Sequence, residues 1–159
     1  MSASLSFPIA ASKSIAKRRS QILILEPDLA GLGYLRSTLG DKYALSLFSE
    51  EQTLLERLEQ KDEPDLLLLA LYSSRDPVPL LTQIRCSKPH LPVIVLSCSA
   101  ELRDIETVIR LGVRAIVMKP FVGCDVEATI EEHLASTEKK ASAADSPREI
   151  PLNESHSFV

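Results

Sequence analysis

Tryptophan is absent from the 159 residues, and phenylalanine and tyrosine together supply only 4% of them. An aromatic platform on which single-stranded bases stack is therefore excluded. Cysteine is scarce too. Cys86, Cys98 and Cys124 form no CxxC pair, and His90, His133 and His156 lie far apart in sequence, so neither a disulfide framework nor a Cys/His metal site is encoded. Three dispersed thiols fit a reducing cytoplasm, and each is expected as a small buried hydrophobe. No apolar run approaches the roughly 20 residues that a membrane-spanning helix needs. The first residues are rich in Ser and Ala and lack the apolar stretch of a secretory signal. The formal charge of −4 gives no general attraction to nucleic acid. These absences predict a cytoplasmic protein without cofactor, metal, membrane or direct nucleic-acid partner.

What is present is the composition of an ordinary globular domain, 45% hydrophobic and 25% charged. Its centre is the stretch from Pro64 to Leu71, where four consecutive leucines follow a Pro-Asp turn. The run is too short for a free-standing helix and reads as a strand buried on both faces of a parallel sheet. In open α/β sheets the chemistry sits outside the carboxyl ends of the strands, so Ala70, where this strand emerges, occupies an informative position.

Residues 1–20 show no apolar periodicity, carry Lys13, Lys17, Arg18 and Arg19, and are expected to form a disordered basic arm. The structured domain is placed at residues 21–136. Gln21 to Glu26 reads as the first strand, ended by Pro27, after which Asp28 caps or sits in the first turn of a helix carrying Leu29, Leu32, Leu35 and Leu39 up to Gly40. Gly31 and Gly33 each cost that helix roughly 1 kcal/mol against Ala, which points to close packing or a contact surface. Tyr43 to Ser49 reads as a second strand nearer an edge. Ser49 and Gln52 have the spacing of a capping box for a helix running to about Lys61. A loop from Tyr72 to Pro79 leads to a helix from Leu80 to Ser87. Leu91 to Cys98 is the fourth strand, Ser99 to Leu111 a helix stopped by Gly112, and Val113 to Met118 the fifth strand. The last helix is expected from about Cys124 to Leu134 or slightly beyond, with residues 137–159 a disordered tail too short and too polar for an output domain. Five strands alternating with five helices predict an α/β, doubly wound parallel sheet of flavodoxin-like order 2-1-3-4-5.

Several segments, taken in this order and spacing, resemble the receiver (CheY-like) domain of two-component response regulators. They are Ile22-Leu23-Ile24-Leu25-Glu26, Pro64-Asp65-Leu66-Leu67-Leu68-Leu69, Pro92-Val93-Ile94-Val95-Leu96-Ser97, and Leu111-Gly112 followed by Lys119-Pro120-Phe121. The resemblance implies phosphoryl transfer from a histidine kinase to an Asp at the end of the third strand. That chemistry uses a Mg²⁺ held by acids after the first strand, with a Lys and a Ser/Thr on the phosphoryl oxygens. Here the acceptor position is Ala70, and a methyl group cannot be phosphorylated. The two acidic positions align with Glu26 and Pro27, so oxygen ligands are lost on both sides of the metal site. Ser97 and Lys119 are retained, and Pro120 is expected to take the family's cis bond. The switch aromatic aligns with Ile116, which has no such rotamer switch. In the loop after the third strand, Ser74 replaces the usual Pro. The pattern is that of a degenerate pseudo-receiver, not an enzyme, which works through protein contact.

For Lys119 two readings stand: an ion pair with Glu26, or an anion site shared with Ser97. A charged region carrying Arg103, Arg110 and Arg114, with Glu101, Asp104 and Glu106, belongs to the face of the fourth helix, fifth strand and fifth helix. The resemblance makes that face a candidate docking or homodimer surface. The partner implied is another signalling protein: a kinase, a DNA-binding regulator, or a clock or stress component. The alternative function is a small-molecule or redox sensor in the vacated pocket of Glu26, Ala70, Ser97, Cys98 and Lys119. Residual phosphotransfer onto Asp28, Ser73 or Asp76 is a third. His133 is read as a solvated surface residue.

Overall fold

Leu66, Leu67, Leu68 and Leu69 have no exposed surface at all. In the computed structural model, which describes residues 17–72, 75–98 and 102–144 and the side chains of all of these but 102–104 and 140–144, they lie in the central strand of a five-stranded parallel sheet ordered 2-1-3-4-5. The elements in chain order are β1 (Gln21–Leu25), α1 (Leu29–Leu39), β2 (Ala44–Phe48), α2 (Glu51–Leu58) and β3 (Leu66–Leu71). They continue as α3 (Val78–Ser87), β4 (Val93–Ser97), α4 (Leu102–Arg110), β5 (Ala115–Met118) and α5 (Gly123–Ala144). The architecture and strand order are those expected from the sequence.

The two-residue period of the strands divides their side chains between two core layers. Leu23, Leu25, Leu67, Leu69, Val93 and Val95 meet α2 and α3 through Leu54, Leu58, Leu81 and Ile84. Ile22, Ile24, Leu66, Leu68, Ala70 and Leu96 meet α1 and α5 through Leu35, Leu39, Val126 and Ile130. The edge strands β2 and β5 are only half-buried.

Local signals account for most boundaries. Asp28 is the N-cap of α1, its carboxylate accepting from the Gly31 N–H at 2.9 Å. Gly112 has φ of 81°, the left-handed conformation that glycine adopts without a Cβ penalty, and it stops α4 as expected. The capping box expected from Ser49 and Gln52 does not form. Glu50 is the N-cap of α2 without a side-chain cap, and Gln52 bonds Glu56 at 3.2 Å instead. Starting the helix one residue later moves Ser49 out of capping position. Helix α3 begins at Val78, earlier than Leu80, because the Asp76 carboxylate accepts from the Val78 N–H at 3.0 Å and a first turn tolerates Pro79. Helix α5 continues to Ala144, past the end expected near Leu134 and past the domain boundary at residue 136. Its later residues lack an apolar stripe, but Glu, Lys and Ala are strong helix formers.

Two cations knit the far side of the sheet. The Arg85 guanidinium donates to the carbonyls of Leu111, Leu91 and Gly112 at 2.9, 2.7 and 2.7 Å, joining α3 to the end of α4. The buried Lys88 ammonium donates to the Gln60 and Asp62 carbonyls at 2.9 and 3.2 Å and closes the turn before β3. At the start of the described chain, Arg18 pairs with Asp65 at 3.3 Å.

Candidate functional site

The carboxyl ends of β1, β3, β4 and β5 bring together a buried acid, a tyrosine and a lysine. Glu26 follows β1 and is fully buried. Its Oε1 accepts from the Asp28 N–H at 3.0 Å and from the Tyr72 hydroxyl, and its Oε2 accepts from the Lys119 ammonium at 2.6 Å. The ammonium also donates to the Tyr72 oxygen at 3.2 Å and lies 4.8 Å from that ring's centroid. Lys119 is held from its backbone as well, its N–H donating to the Ser97 carbonyl at 2.7 Å, and the Lys119–Pro120 bond is cis as expected.

The triad's electrostatics follow from this geometry. Burial depresses the Lys119 pKa, but the hydrogen bonds that its ammonium donates to Glu26 and Tyr72 outweigh it and the net shift is upward, so the ammonium is kept. Burial, then the Glu26 hydrogen bond, raises the Tyr72 pKa, which keeps the phenol protonated as a donor. Gly31 makes room for the acid: a Cβ there would come within 3.1 Å of the Glu26 carboxyl carbon. A Cβ on Gly33 would meet nothing within 4 Å.

Ala70 is 5% exposed and pairs with Leu96 in the sheet, embedded in the core layer of α1 and α5. It offers no oxygen, and Pro27 offers none either. Both Glu26 oxygens are already engaged, and among the described residues no group of three His, Cys, Asp or Glu could hold a metal ion. The residues present do not fit the Mg²⁺ that receiver chemistry requires. Ser97 ends β4, level with Leu71 and Met118. Ile116 packs against the core layer of α2 and α3.

Two hollows flank the triad. One of about 350 Å³ is lined by Leu25, Pro27, Ala70, Tyr72, Arg75 and Pro77, with Arg75 paired to Glu51 at 2.8 Å. The other, of about 620 Å³, is lined by Glu26, Gly31, Tyr34, Cys98, Lys119 and Phe121.

The sequence reading missed Tyr72, which it left within a loop. Its signal was available: an aromatic two residues past the acceptor position, in a chain with three tyrosines. The cysteine expectation is corrected, since Cys86, Cys98 and Cys124 are all exposed. Cys86 lies off the core-facing positions Leu80, Leu81 and Ile84 of α3, Cys98 is the first residue past β4, and Cys124 lies in the first turn of α5 ahead of its core residue Val126. His133 is half-buried, its Nδ1 2.9 Å from the Thr129 carbonyl. On the proposed docking face Arg110 and Arg114 are exposed, as are Ile109 and Met118. Lys13, Ser73, Ser74, Ser99, Glu101 and the side chains of Arg103 and Asp104 lie outside the described residues. Of the other candidate acceptors, Asp28 is the N-cap of α1 and the Asp76 carboxylate accepts from the Val78 N–H just before α3.

No protein-family model matches the chain. It is 31% identical over 120 residues to a protein described as "Probable transcriptional regulator ycf27" of Guillardia theta, covering 74% of this chain and 42% of that one. Over 92 residues it is 28% identical to transcription factor SKN7 of Chaetomium thermophilum, covering 57% of this chain and 12% of that one. The chain thus spans less than half the length of these relatives. Among solved structures, a response regulator receiver domain protein (CheY-like) from Methanospirillum hungatei JF-1 superposes with a TM-score of 0.70 at 23% identity, covering 77% of this chain and 98% of that one. A signal receiver domain of an HD domain-containing protein from Pseudomonas fluorescens Pf-5 gives 0.70 at 23% identity, covering 79% and 93%.

Proposed function

We propose that this chain, whose fold is that of the response-regulator receiver (CheY-like) domain, works in a two-component-type pathway as a pseudo-receiver that signals by protein contact without aspartyl phosphorylation. The observation that carries this reading is Ala70 at the end of β3, beside a Glu26 whose oxygens are held by Lys119, Tyr72 and the Asp28 amide. Phosphoryl transfer is catalysed by positioning and charge neutralisation, and here the acceptor oxygen is missing and the acid that would hold the metal is neutralised internally. The retained Lys119 then serves as a structural counter-ion. The partner in this reading is another cytoplasmic signalling or regulatory protein. The likeness to regulators such as ycf27 supports that class of partner.

The test is thermal unfolding with Mg²⁺ and either acetyl phosphate or beryllofluoride. An unchanged midpoint and no mass gain of one phosphoryl group are expected. A Mg²⁺-dependent rise in midpoint together with a phosphoryl adduct would sink the reading.

The exposure of Cys98 at the larger hollow favours a second reading, a redox or small-molecule sensor. It requires that Cys98→Ser abolish signalling while the melting temperature stays unchanged.

A further inference from the structure

The smaller of the two hollows, about 350 Å³, lies against the ends of β1 and β3, which are neighbours in the sheet. From β1 the chain passes outward to β2, and from β3 it passes the opposite way to β4, so the strand order reverses at this point. Open α/β sheets bind small ligands in the crevice outside the carboxyl ends of the strands at such a reversal. The volume falls at the lower end of the range for ligand pockets.

Its floor is apolar and continuous with the core. Leu25 and Ala70 lie near the ends of the two strands, Leu80 comes from α3, and all three are buried. Pro27 and Pro77 extend the walls with side chains that carry no charge.

The rim is polar and mainly acidic. Glu50, Glu51 and Asp76 face a single cation, Arg75. Arg75 is spent on Glu51 at 2.8 Å, and Asp76 accepts from the Val78 N–H at 3.0 Å. The Glu50 carboxylate caps nothing and has no hydrogen-bond or ion-pair partner among the described residues. Helices α2 and α3 both begin at this rim. Their starts, worth about half a positive charge each, together offset about one carboxylate. Arg75 offsets a second, and about one negative charge is left over. Ser97 and Lys119, which would hold a phosphoryl group, line no part of this hollow, and Lys119 is neutralised by Glu26. An apolar floor under a net-negative rim disfavours anions and suits a hydrocarbon body bearing one positive charge.

We infer that this hollow binds a small organic cation, an amine whose apolar body rests on Leu25, Leu71 and Leu80 and whose ammonium meets Glu50 and Asp76. The inference goes beyond the protein-contact reading and stands independently of it, since it concerns a ligand at the β1–β3 crevice rather than a protein on the surface.

Titration of the isotope-labelled full chain with 2-phenylethylamine, followed through its amide resonances, tests it. The neutral 2-phenylethanol and the anionic phenylacetate, of nearly the same shape, are titrated beside it. The amine is expected to shift the amides of Glu51, Leu71, Tyr72 and Leu80 saturably, and to bind about tenfold more tightly than either analogue, as for two partly exposed charge pairs. Glu50→Gln weakens the amine about threefold and Glu50→Gln with Asp76→Asn about tenfold. Glu59→Gln, at the other end of α2 and outside the hollow, leaves its affinity unchanged. These variants keep the fold, because all three side chains are exposed and Asn still accepts the Val78 N–H. Tighter binding of phenylacetate would show that Arg75 and the helix starts govern the hollow. Equal binding of all three probes would show that charge is not selected. Saturable shifts confined to Cys98 and Phe121 would place the amine in the larger hollow, and no saturable shift with any probe would leave no ligand site. Each of these results overturns the assignment and leaves the protein-contact reading to its own test.

Discussion

Lys119 and Glu26 meet at 2.6 Å across the ends of two intervening strands, β3 and β4. The pair ties the exit of β5 to the exit of β1, and Tyr72 closes it from β3. Its strength comes from burial on the acid side, where Glu26 is 0% exposed, against 20% for the lysine side chain.

Breaking that pair from one side is therefore expected to cost more than removing it whole. Glu26→Gln leaves a half-buried ammonium and Lys119→Met leaves a fully buried carboxylate, each costing about 2–4 kcal/mol. The double variant is expected to lose less than the sum of the two. Urea unfolding of the three proteins checks this, and strict additivity would refute the coupling.

Alkaline pH is expected to unfold the protein through the same groups. The folded pKa values of Lys119 and Tyr72 are both raised, above ordinary values of 10.5 and 10.0. A raised pKa means that the folded chain holds protons the unfolded chain has released, so the contribution is complete below pH 10 and is lost as pH climbs through the folded values. Midpoints measured between pH 8 and 12 should fall above about pH 10 in the wild type and more gently in Lys119→Met with Tyr72→Phe.

The two glycines of α1 are expected to respond in opposite directions to alanine. Gly33→Ala meets no neighbour and should stabilise by about 0.5–1 kcal/mol. Gly31→Ala places a methyl 3.1 Å from the Glu26 carboxyl carbon, and that carboxylate can retreat only by loosening the hydrogen bonds that hold it. A loss of about 1–3 kcal/mol is expected, as for other overpacked sites. Thermal unfolding distinguishes the two, and equal effects would show that the acid moves freely.

Arg85→Met should loosen the joint between α3 and the end of α4. The carbonyls of Leu111, Pro89, Leu91 and Gly112 lose this donor, for about 2–3 kcal/mol. Hydrogen exchange should rise first at Val113 and Arg114, whose amides bond Val108 and Val93; uniform exchange across the sheet would argue against a local joint.

The sheet was legible because each strand is a short apolar run, β3 most of all, and because Asp28 and Gly112 act through local geometry. The Glu26–Lys119 pair stood as one of two readings of Lys119, because the resemblance aligned both residues with a single pocket at the carboxyl ends of the strands. Tyr72 was not. Periodicity says which face of a strand a residue occupies but nothing of how a side chain beyond the strand folds back. The exposed cysteines were misjudged from residue type, which ranks thiols as buried on average and ignores which side of α3 or α5 carries them. The length of α5 escaped because its last turns have no core to bury and rest on intrinsic propensity.

That length has a mechanical corollary. At 1.5 Å per residue the 22 residues of α5 make a rod of about 33 Å, against about 17 Å for a five-residue strand. Its first turn is moored to Tyr34 of α1 through the Gly123 amide. A rotation of about 10° at that mooring would sweep the opposite tip through about 6 Å on a rod of this length, so a small tilt at the carboxyl end of the strands, where α5 begins, is magnified at the far end of the helix.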